Sequence, residues 1–160
     1  MILVKPPHLV PIENESYPSI FLAGSIEMGK AEDWQSTIQD MLSKYNVVIY
    51  SPRRDDWDST WEQTITNANF MEQVTWELDH IDKCDLVFMY FDPSTKSPIS
   101  LLELGILTAR PDKILVCCPE GFWRKGNVDI VCRRYGISQI DDKDEFLKTI
   151  EYCISEICRL

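Results

Sequence analysis

Glu77 occupies a position that needs a chemical explanation. It lies between Val74 and Ile81 on the apolar face of a predicted helix. A carboxylate on the core side of a helix is strongly unfavourable unless it is paired or open to a cleft. Glu77 is therefore either a proton donor whose pKa is raised by desolvation or one half of a buried salt bridge with Arg53 or Arg54.

Glu103 follows Ser100 by three residues in the segment ISLLELG. This spacing is typical of a capping box, in which Ser100 begins a helix and Glu103 bonds back to its N–H. The same position would also favour an ionised carboxylate through the helix dipole, which suits a nucleophile. The spacing alone leaves both interpretations open.

The segment FLAGSIEMG predicts a strand that ends in a glycine turn. Gly24, Ser25 and Ile26 could bind a ligand there, because a glycine permits close approach and exposed N–H groups bind an anion or a hydroxyl. A plain turn explains the same residues, and the segment lacks the G-x-G-x-x-G pattern. Glu27 would repel a phosphate at this position.

The segment SPRRDDWDSTW places charges and tryptophans directly after a predicted strand. Asp55, Trp57 and Trp61 could form a lid on which a nucleobase stacks. The alternative is a solvated surface loop.

Apolar runs alternate with helical patterns along residues 1–160, which predicts a single α/β domain after an extended lead-in of 18 residues. The predicted strands are Ser19–Ala23, Val47–Tyr50, Asp85–Phe91, Lys113–Cys118 and Ile137–Ile140, and the predicted helices are Ala31–Lys44, Phe70–Lys83, Ser100–Ala109, Val128–Tyr135 and Asp144–Arg159. The first four strands are almost continuously apolar, as strands buried on both faces are, so the sheet should be parallel. Ligands bind beyond the carboxyl ends of such strands, which adds Asp92, Ser97 and Ser100 to the candidate site.

Composition narrows the classes of partner. A net charge of −10 repels phosphate backbones and anionic membranes, so we expect neither nucleic-acid nor membrane binding. The longest apolar run, Leu86–Phe91, is too short to span a bilayer, and no basic segment precedes the apolar start, so we expect a cytoplasmic protein. Six cysteines without a C-x-x-C pair and two histidines predict inert thiols and no metal site.

Four motifs in this order resemble the nucleoside 2-deoxyribosyltransferase superfamily, in particular its 2-deoxyribosyltransferase-like branch. They are FLAGSIEMG followed by Asp33-Trp34, SPRRDDWD, EQVTWEL and ISLLELG. The resemblance runs from about Ile20 to Tyr135. It implies a flavodoxin-like three-layer sandwich with a five-stranded parallel sheet, and a homo-oligomer in which a neighbouring subunit helps to complete each site.

The resemblance also implies roles for individual residues. Glu103 matches the nucleophile of the family's E-x-G motif, and Glu77 matches an acidic residue that binds and protonates the base. The Gly24-Ser25 loop matches the cradle for the 5′ end of the sugar, and Ser97 falls near the sugar. The predicted substrate-binding residues are then Gly24, Ser25, Ile26, Asp55, Trp57, Asp92, Ser97 and Ser100.

The implied reaction is exchange at the N-glycosidic bond of a nucleoside, in which a second nucleobase receives the sugar. A carboxylate stabilises the oxocarbenium-like sugar and traps it as an ester, while an acid protonates the leaving base. The implied reaction therefore needs no metal and no cofactor. The alternatives are an N-glycosidase, in which water receives the sugar, and a nucleotide-binding sensor without turnover.

Overall fold

The computed structural model describes residues 1–26, 31–54 and 56–159. Within these ranges one sheet contains six strands: β1 Ile2–Val4, β2 Ser19–Gly24, β3 Val48–Tyr50, β4 Leu86–Tyr90, β5 Ile114–Cys117 and β6 Ser138–Ile140. The helices are α1 Trp34–Leu42, α2 Ala68–Lys83, α3 Pro98–Leu107, α4 Lys125–Tyr135 and α5 Lys143–Ile157. No helix in this part of the chain has the length and apolar character needed to cross a bilayer.

The strand order is β1-β3-β2-β4-β5-β6, and all neighbouring strands are parallel. Without β1, this is the flavodoxin-like order, which confirms the predicted α/β class and parallel sheet. The predicted count of five strands is wrong for the described residues, because β1 lies in the segment that the sequence assigns to the lead-in. β1 has only three residues and pairs only with β3, so it lacks the long apolar run of a central strand.

Successive residues of the central strands enter cores on opposite faces of the sheet. Phe21 and Met89 pack on one face with side chains of α2, α3 and α4. Leu22 and Phe88 pack on the other face with side chains of α1 and α5. Burial on both faces explains why the sequences of these strands are continuously apolar.

β2 and β4 lie side by side, and the chain leaves them toward opposite halves of the sheet. In this fold the crevice at such a point is where ligands bind. Gly24, at the end of β2, has a φ of +127°, and a Cβ there would lie 2.2 Å from the carbonyl oxygen of Tyr90. The close approach that requires a glycine here is therefore that of the β4 backbone.

Replacing Gly24 with alanine should destabilise the protein by at least about 2 kcal/mol, because neither strand end has room for a methyl group. The matched control is Gly126→Ala in α4, where a Cβ meets nothing within 4 Å. Because Gly126 lies in the first turn of α4, alanine there should stabilise the protein by less than the gain of about 0.5–1 kcal/mol typical in the middle of a helix. Urea unfolding midpoints measure both changes, and an unaltered midpoint for Gly24→Ala would contradict the packing described above.

Candidate active site

Helix α3 carries Glu103 but begins earlier than the sequence predicts. Ser97 precedes the helix, Pro98 is its first residue, and Glu103 lies in its second turn. The capping box between Ser100 and Glu103 is therefore absent, and the argument for an ionised Glu103 from the helix dipole is also wrong, since the dipole acts mainly on the first turn. Ser100 lies in the first turn and is buried.

Three hydroxyl groups connect the end of β2 to the loop that leads into α3. Ser25 Oγ lies 2.9 Å from Thr95 Oγ1 and 2.6 Å from Ser97 Oγ, and those two atoms are 2.8 Å apart. Ser25 Oγ also accepts a hydrogen bond of 2.9 Å from the N–H of Asp92. Ser97 has a φ of +45°, a strained value for a residue with a side chain, and these contacts stabilise it.

The backbone of Ser25 is also fully engaged. Its N–H donates to the carbonyl of Tyr90, and its own carbonyl accepts from the indole N–H of Trp34. The N–H of Ser25 is therefore not one of the exposed N–H groups that the sequence predicts at this turn. Ile26 follows as a half-buried residue, and Glu27 lies outside the described residues.

Asp92 is buried at the end of β4, and its carboxylate joins two loops. One oxygen accepts from the N–H and the hydroxyl of Ser94, and the other accepts from the N–H of Glu32, near the start of α1. Burial alone would raise the pKa of Asp92, but these hydrogen bonds to the charged form hold it below its usual value. Asp92 is therefore an ionised residue that fixes the walls of the crevice.

Glu103 and Glu77 form an electrostatically coupled pair. Burial raises the pKa of Glu103 to about 8, and the charge of Glu77 adds to this effect. Burial likewise raises the pKa of Glu77 to about 7, although a hydrogen bond from Gln73 opposes it. Two carboxyls in this situation resist simultaneous ionisation, so near neutral pH the pair retains at least one proton.

The salt bridge considered for Glu77 is absent from the described residues. Both candidate arginines bind other carboxylates: Arg53 binds Asp33, and Arg54 binds Asp56 and Glu72. The side-chain partner of Glu77 is Gln73, whose Nε2 donates to Glu77 Oε1 over 2.7 Å. The sequence-based prediction of a raised pKa for Glu77 is confirmed, and its cause is desolvation without a compensating cation.

Within the described residues, Trp57 and Trp61 make no hydrogen bond or ring contact with Glu77 or Glu103. Trp57 and Trp61 are half-buried, with ring centroids 5.2 Å apart, and the guanidinium of Arg54 lies 5.0 Å from the ring of Trp61. The indole N–H of Trp57 is buried and finds no acceptor within the described ranges. Asp55 lies outside those ranges, so the base-stacking lid stays a prediction.

Sequence reasoning missed a group of buried polar side chains around the end of β3. Gln35, Ser51 and Gln73 are each buried and carry a side-chain atom that has no hydrogen-bond partner among the residues described. Thr95, in the hydroxyl cluster, was missed as well. The i, i+4 spacing of Gln73 and Glu77 is the signal that could have identified Gln73.

The cysteines take no part in this arrangement. All six are free thiols, and burial raises the pKa of Cys84 to about 11 and that of Cys118 to about 12. Over the residues that the structure covers, no three His, Cys, Asp or Glu side chains lie together as a metal site would require.

Comparisons with known proteins agree with this architecture. A family model described as "Nucleoside 2-deoxyribosyltransferase like" matches residues 17–122. Among solved structures, the chain is similar to a conserved protein from Enterococcus faecalis V583, with a TM-score of 0.59 and 11% sequence identity. That likeness covers 86% of this chain and 99% of the other, and it shows a shared fold. A search of curated proteins found no significant match.

Glu103→Gln should flatten the dependence of stability on pH. Because the pKa of Glu103 is about 8 when folded and near 4.5 when unfolded, the folded state binds more protons between these values. Stability therefore falls as the pH rises through this window, and an amide that cannot ionise removes this loss. We expect Glu103→Gln to melt a few degrees above the parent at pH 8.5, at about 2–4 °C per kcal/mol, with a smaller difference at pH 5.

Thermal melts from pH 5 to 8.5 measure this effect. The matched control is Glu62→Gln, which removes one exposed carboxylate from a loop. A variant whose melting temperature runs parallel to that of the parent across the range would show that Glu103 is not the buried, protonated group described.

Proposed function

Because the chain belongs to the nucleoside 2-deoxyribosyltransferase-like family, we propose that it cleaves the N-glycosidic bond of (deoxy)nucleosides and transfers the sugar to another nucleobase. The observation that carries this proposal is the pair Glu103 and Glu77. Both carboxyls are largely desolvated, the charge of Glu77 acts on Glu103, and Arg53 and Arg54 bind other carboxylates. Its substrates would be a small nucleoside and a free base.

In the first step, Glu103 acts as the nucleophile. Its carboxylate oxygen forms a bond to the anomeric carbon as the bond from that carbon to the base nitrogen breaks, giving a glycosyl ester. The transition state carries positive charge on the sugar, which an adjacent carboxylate stabilises. Glu77 donates its proton to the departing base, which would otherwise leave as a poor anionic leaving group.

In the second step, the incoming base reverses these events. A ring nitrogen of this base attacks the anomeric carbon, the ester bond to Glu103 breaks, and Glu77 takes up the proton that the base releases. Retention of configuration follows from two successive displacements on the same carbon.

The pair holds the number of protons that the mechanism needs, but in the free protein the proton lies on Glu103, the carboxyl with the higher pKa, and must move to Glu77 when the substrate binds. The mechanism needs one ionised and one protonated carboxyl, and a pair that retains one proton near neutral pH supplies both. In the free protein, burial raises the pKa of Glu103 above that of Glu77. A sugar that develops positive charge beside Glu103 lowers its pKa, because an opposite charge favours the ionised form.

The substrate would lie against the loops that follow β2 and β4. Ser100 lies one turn before Glu103, and Ser97 and Asp92 shape the loop that leads to α3. Gly24 and Ile26 belong to the opposite wall. We propose these residues as the sugar site, with the fixed backbone of both loops as its main contribution, and Asp55 and Trp57 as the base lid.

We also propose that the protein is a homo-oligomer. Helix α3 is apolar around most of its circumference, and Ile99, Leu102 and Ile106 expose large side chains on its outer face. An isolated surface helix normally has a polar outer face, so this surface favours contact with a second subunit.

A substrate panel tests the activity. The protein is incubated with 2′-deoxynucleosides and a second free base, and the products are separated by chromatography. We expect a new nucleoside to form. Free base alone would indicate a hydrolase, and no change would favour a binding module; either result would contradict sugar transfer.

Glu103→Gln should lower the rate of exchange by at least about 10³-fold while the protein stays folded, since an amide cannot trap the sugar. With the parent protein and a 2-fluoro-2-deoxynucleoside, mass spectrometry should find the sugar on the peptide that contains Glu103. Glu62→Gln again serves as the control. A sugar attached to another carboxylate, or an active Glu103→Gln variant, would overturn the assignment of the nucleophile.

A further inference from the structure

Among the described side chains, Gln73 is the one that hydrogen-bonds both to Glu77 and to the backbone after β3. It lies on α2, one turn before Glu77, and is only 4% exposed. Its Nε2 donates to Glu77 Oε1 over 2.7 Å and to the carbonyl oxygen of Pro52 over 3.0 Å. Pro52 follows the end of β3, so the amide joins α2 to the carboxyl edge of the sheet.

The orientation of this amide is fixed by its neighbours. The carbonyl of Pro52 is an acceptor only, and a rotated amide would set Gln73 Oε1 against it, acceptor facing acceptor. Nε2 must therefore face Pro52, and the second hydrogen on the same nitrogen is the one that reaches Glu77. Both donors of the amide are used in this way.

We propose that Gln73 is the positioning residue for Glu77: it holds Oε1 as an acceptor, so that the proton of the neutral acid lies on Oε2. This inference rests on the proposed function, because it assigns to Gln73 the presentation of the proton that the leaving base receives. In a neutral carboxyl, the oxygen that accepts a hydrogen bond is the carbonyl oxygen and the other carries the hydrogen.

Alternative supports for Glu77 are occupied elsewhere. Arg53 and Arg54 bind carboxylates other than Glu77. A cation at this position would also stabilise the ionised form and remove the proton that an acid needs. A neutral donor such as an amide holds the carboxyl in place and lowers its pKa much less than a cation would.

Gln73 Oε1 is buried and has no protein partner within the described residues. An unpaired buried acceptor is unfavourable for folding, so the amide is poorly explained as a stabilising contact alone. A role in the site accounts for a polar side chain at a buried position of α2.

The test uses Gln73→Met, which keeps approximate size and removes the donor, and Gln63→Met in an exposed loop as the matched control. Two substrates are compared: a 2′-deoxynucleoside with an ordinary purine, and the same nucleoside methylated on N7. The methylated base already carries a positive charge and leaves as a neutral molecule, so it needs no proton from Glu77.

If Gln73 positions the acid, Gln73→Met lowers kcat/KM for the ordinary purine by roughly 10- to 100-fold, part of the 10²–10⁴-fold typical of a general acid. The methylated substrate should lose less than about threefold. Equal losses on both substrates would show a general structural role and overturn the proposal, as would no loss on either.

A second measurement separates this inference from the proposed function. The side-chain carboxyl carbons of ¹³C-labelled glutamate are titrated by NMR in the free protein, and Glu77→Gln identifies the signal of Glu77. Removal of the donor should raise the pKa of Glu77 in Gln73→Met, because the hydrogen bond favours the charged form. An unchanged titration overturns the role of Gln73. If the parent turns over neither substrate, the proposed function fails and the titration alone decides.

Discussion

The hydroxyl of Ser25 is the contact on which the arrangement of the site depends. It is fully buried and joins the end of β2 to Thr95 and Ser97, in the loop that leads into α3. Because α3 begins at that loop, the position of Glu103 is set through a contact made outside its own helix. Gly24 makes this possible, since only a residue without a Cβ lets the ends of β2 and β4 come so close.

The same constraint explains the strain at Ser97. A serine that precedes a helix usually turns its hydroxyl toward the N–H groups of the first turn. Here that hydroxyl contacts Ser25 and Thr95, and the side chain makes no capping hydrogen bond. The backbone adopts the left-handed conformation as a result. The strain, on the order of 1–3 kcal/mol, is offset by the hydrogen bonds that the Ser97 hydroxyl makes with Ser25 and Thr95.

Much of the fold follows from the sequence because its physical signals are local. The central strands are buried on both faces, so their apolar runs stand out, whereas β1 is short, lies at an edge and leaves no such run. The core face of α2 is only partly visible in the periodicity: Ile81 is buried, but Val74 is half-buried, and the other buried residues are Gln73, Trp76 and His80. The flavodoxin-like strand order depends on pairings between segments that are distant in the sequence. Only the resemblance to a family predicted this order and the role of each loop in the site.

Features of the candidate site could be predicted where they depend on the local sequence around one residue. They could not be predicted where contacts between distant segments determine them. The raised pKa of Glu77 follows from its place on an apolar face. The start of α3 does not, because Ser97 and Ser100 are both plausible caps and a contact with a distant strand decides between them. The fold also determines which carboxylates Arg53 and Arg54 bind. From charge alone, Glu77 was as good a candidate for an ion pair with them as the carboxylates that they bind.

The two glutamates lie on different helices, yet each is tied to the carboxyl edge of the sheet. The hydroxyl cluster after β2 sets the start of the helix that carries Glu103. Gln73 donates to Glu77 and also to the carbonyl of Pro52, two residues after the end of β3. β2 and β3 are neighbours, with Phe21 opposite Tyr50 in the ladder. Both anchoring points therefore follow adjacent strands, whose register is held rigid by backbone hydrogen bonds. A reaction that needs a nucleophile and an acid on opposite sides of one bond gains from that rigidity, since a small displacement of either group weakens catalysis.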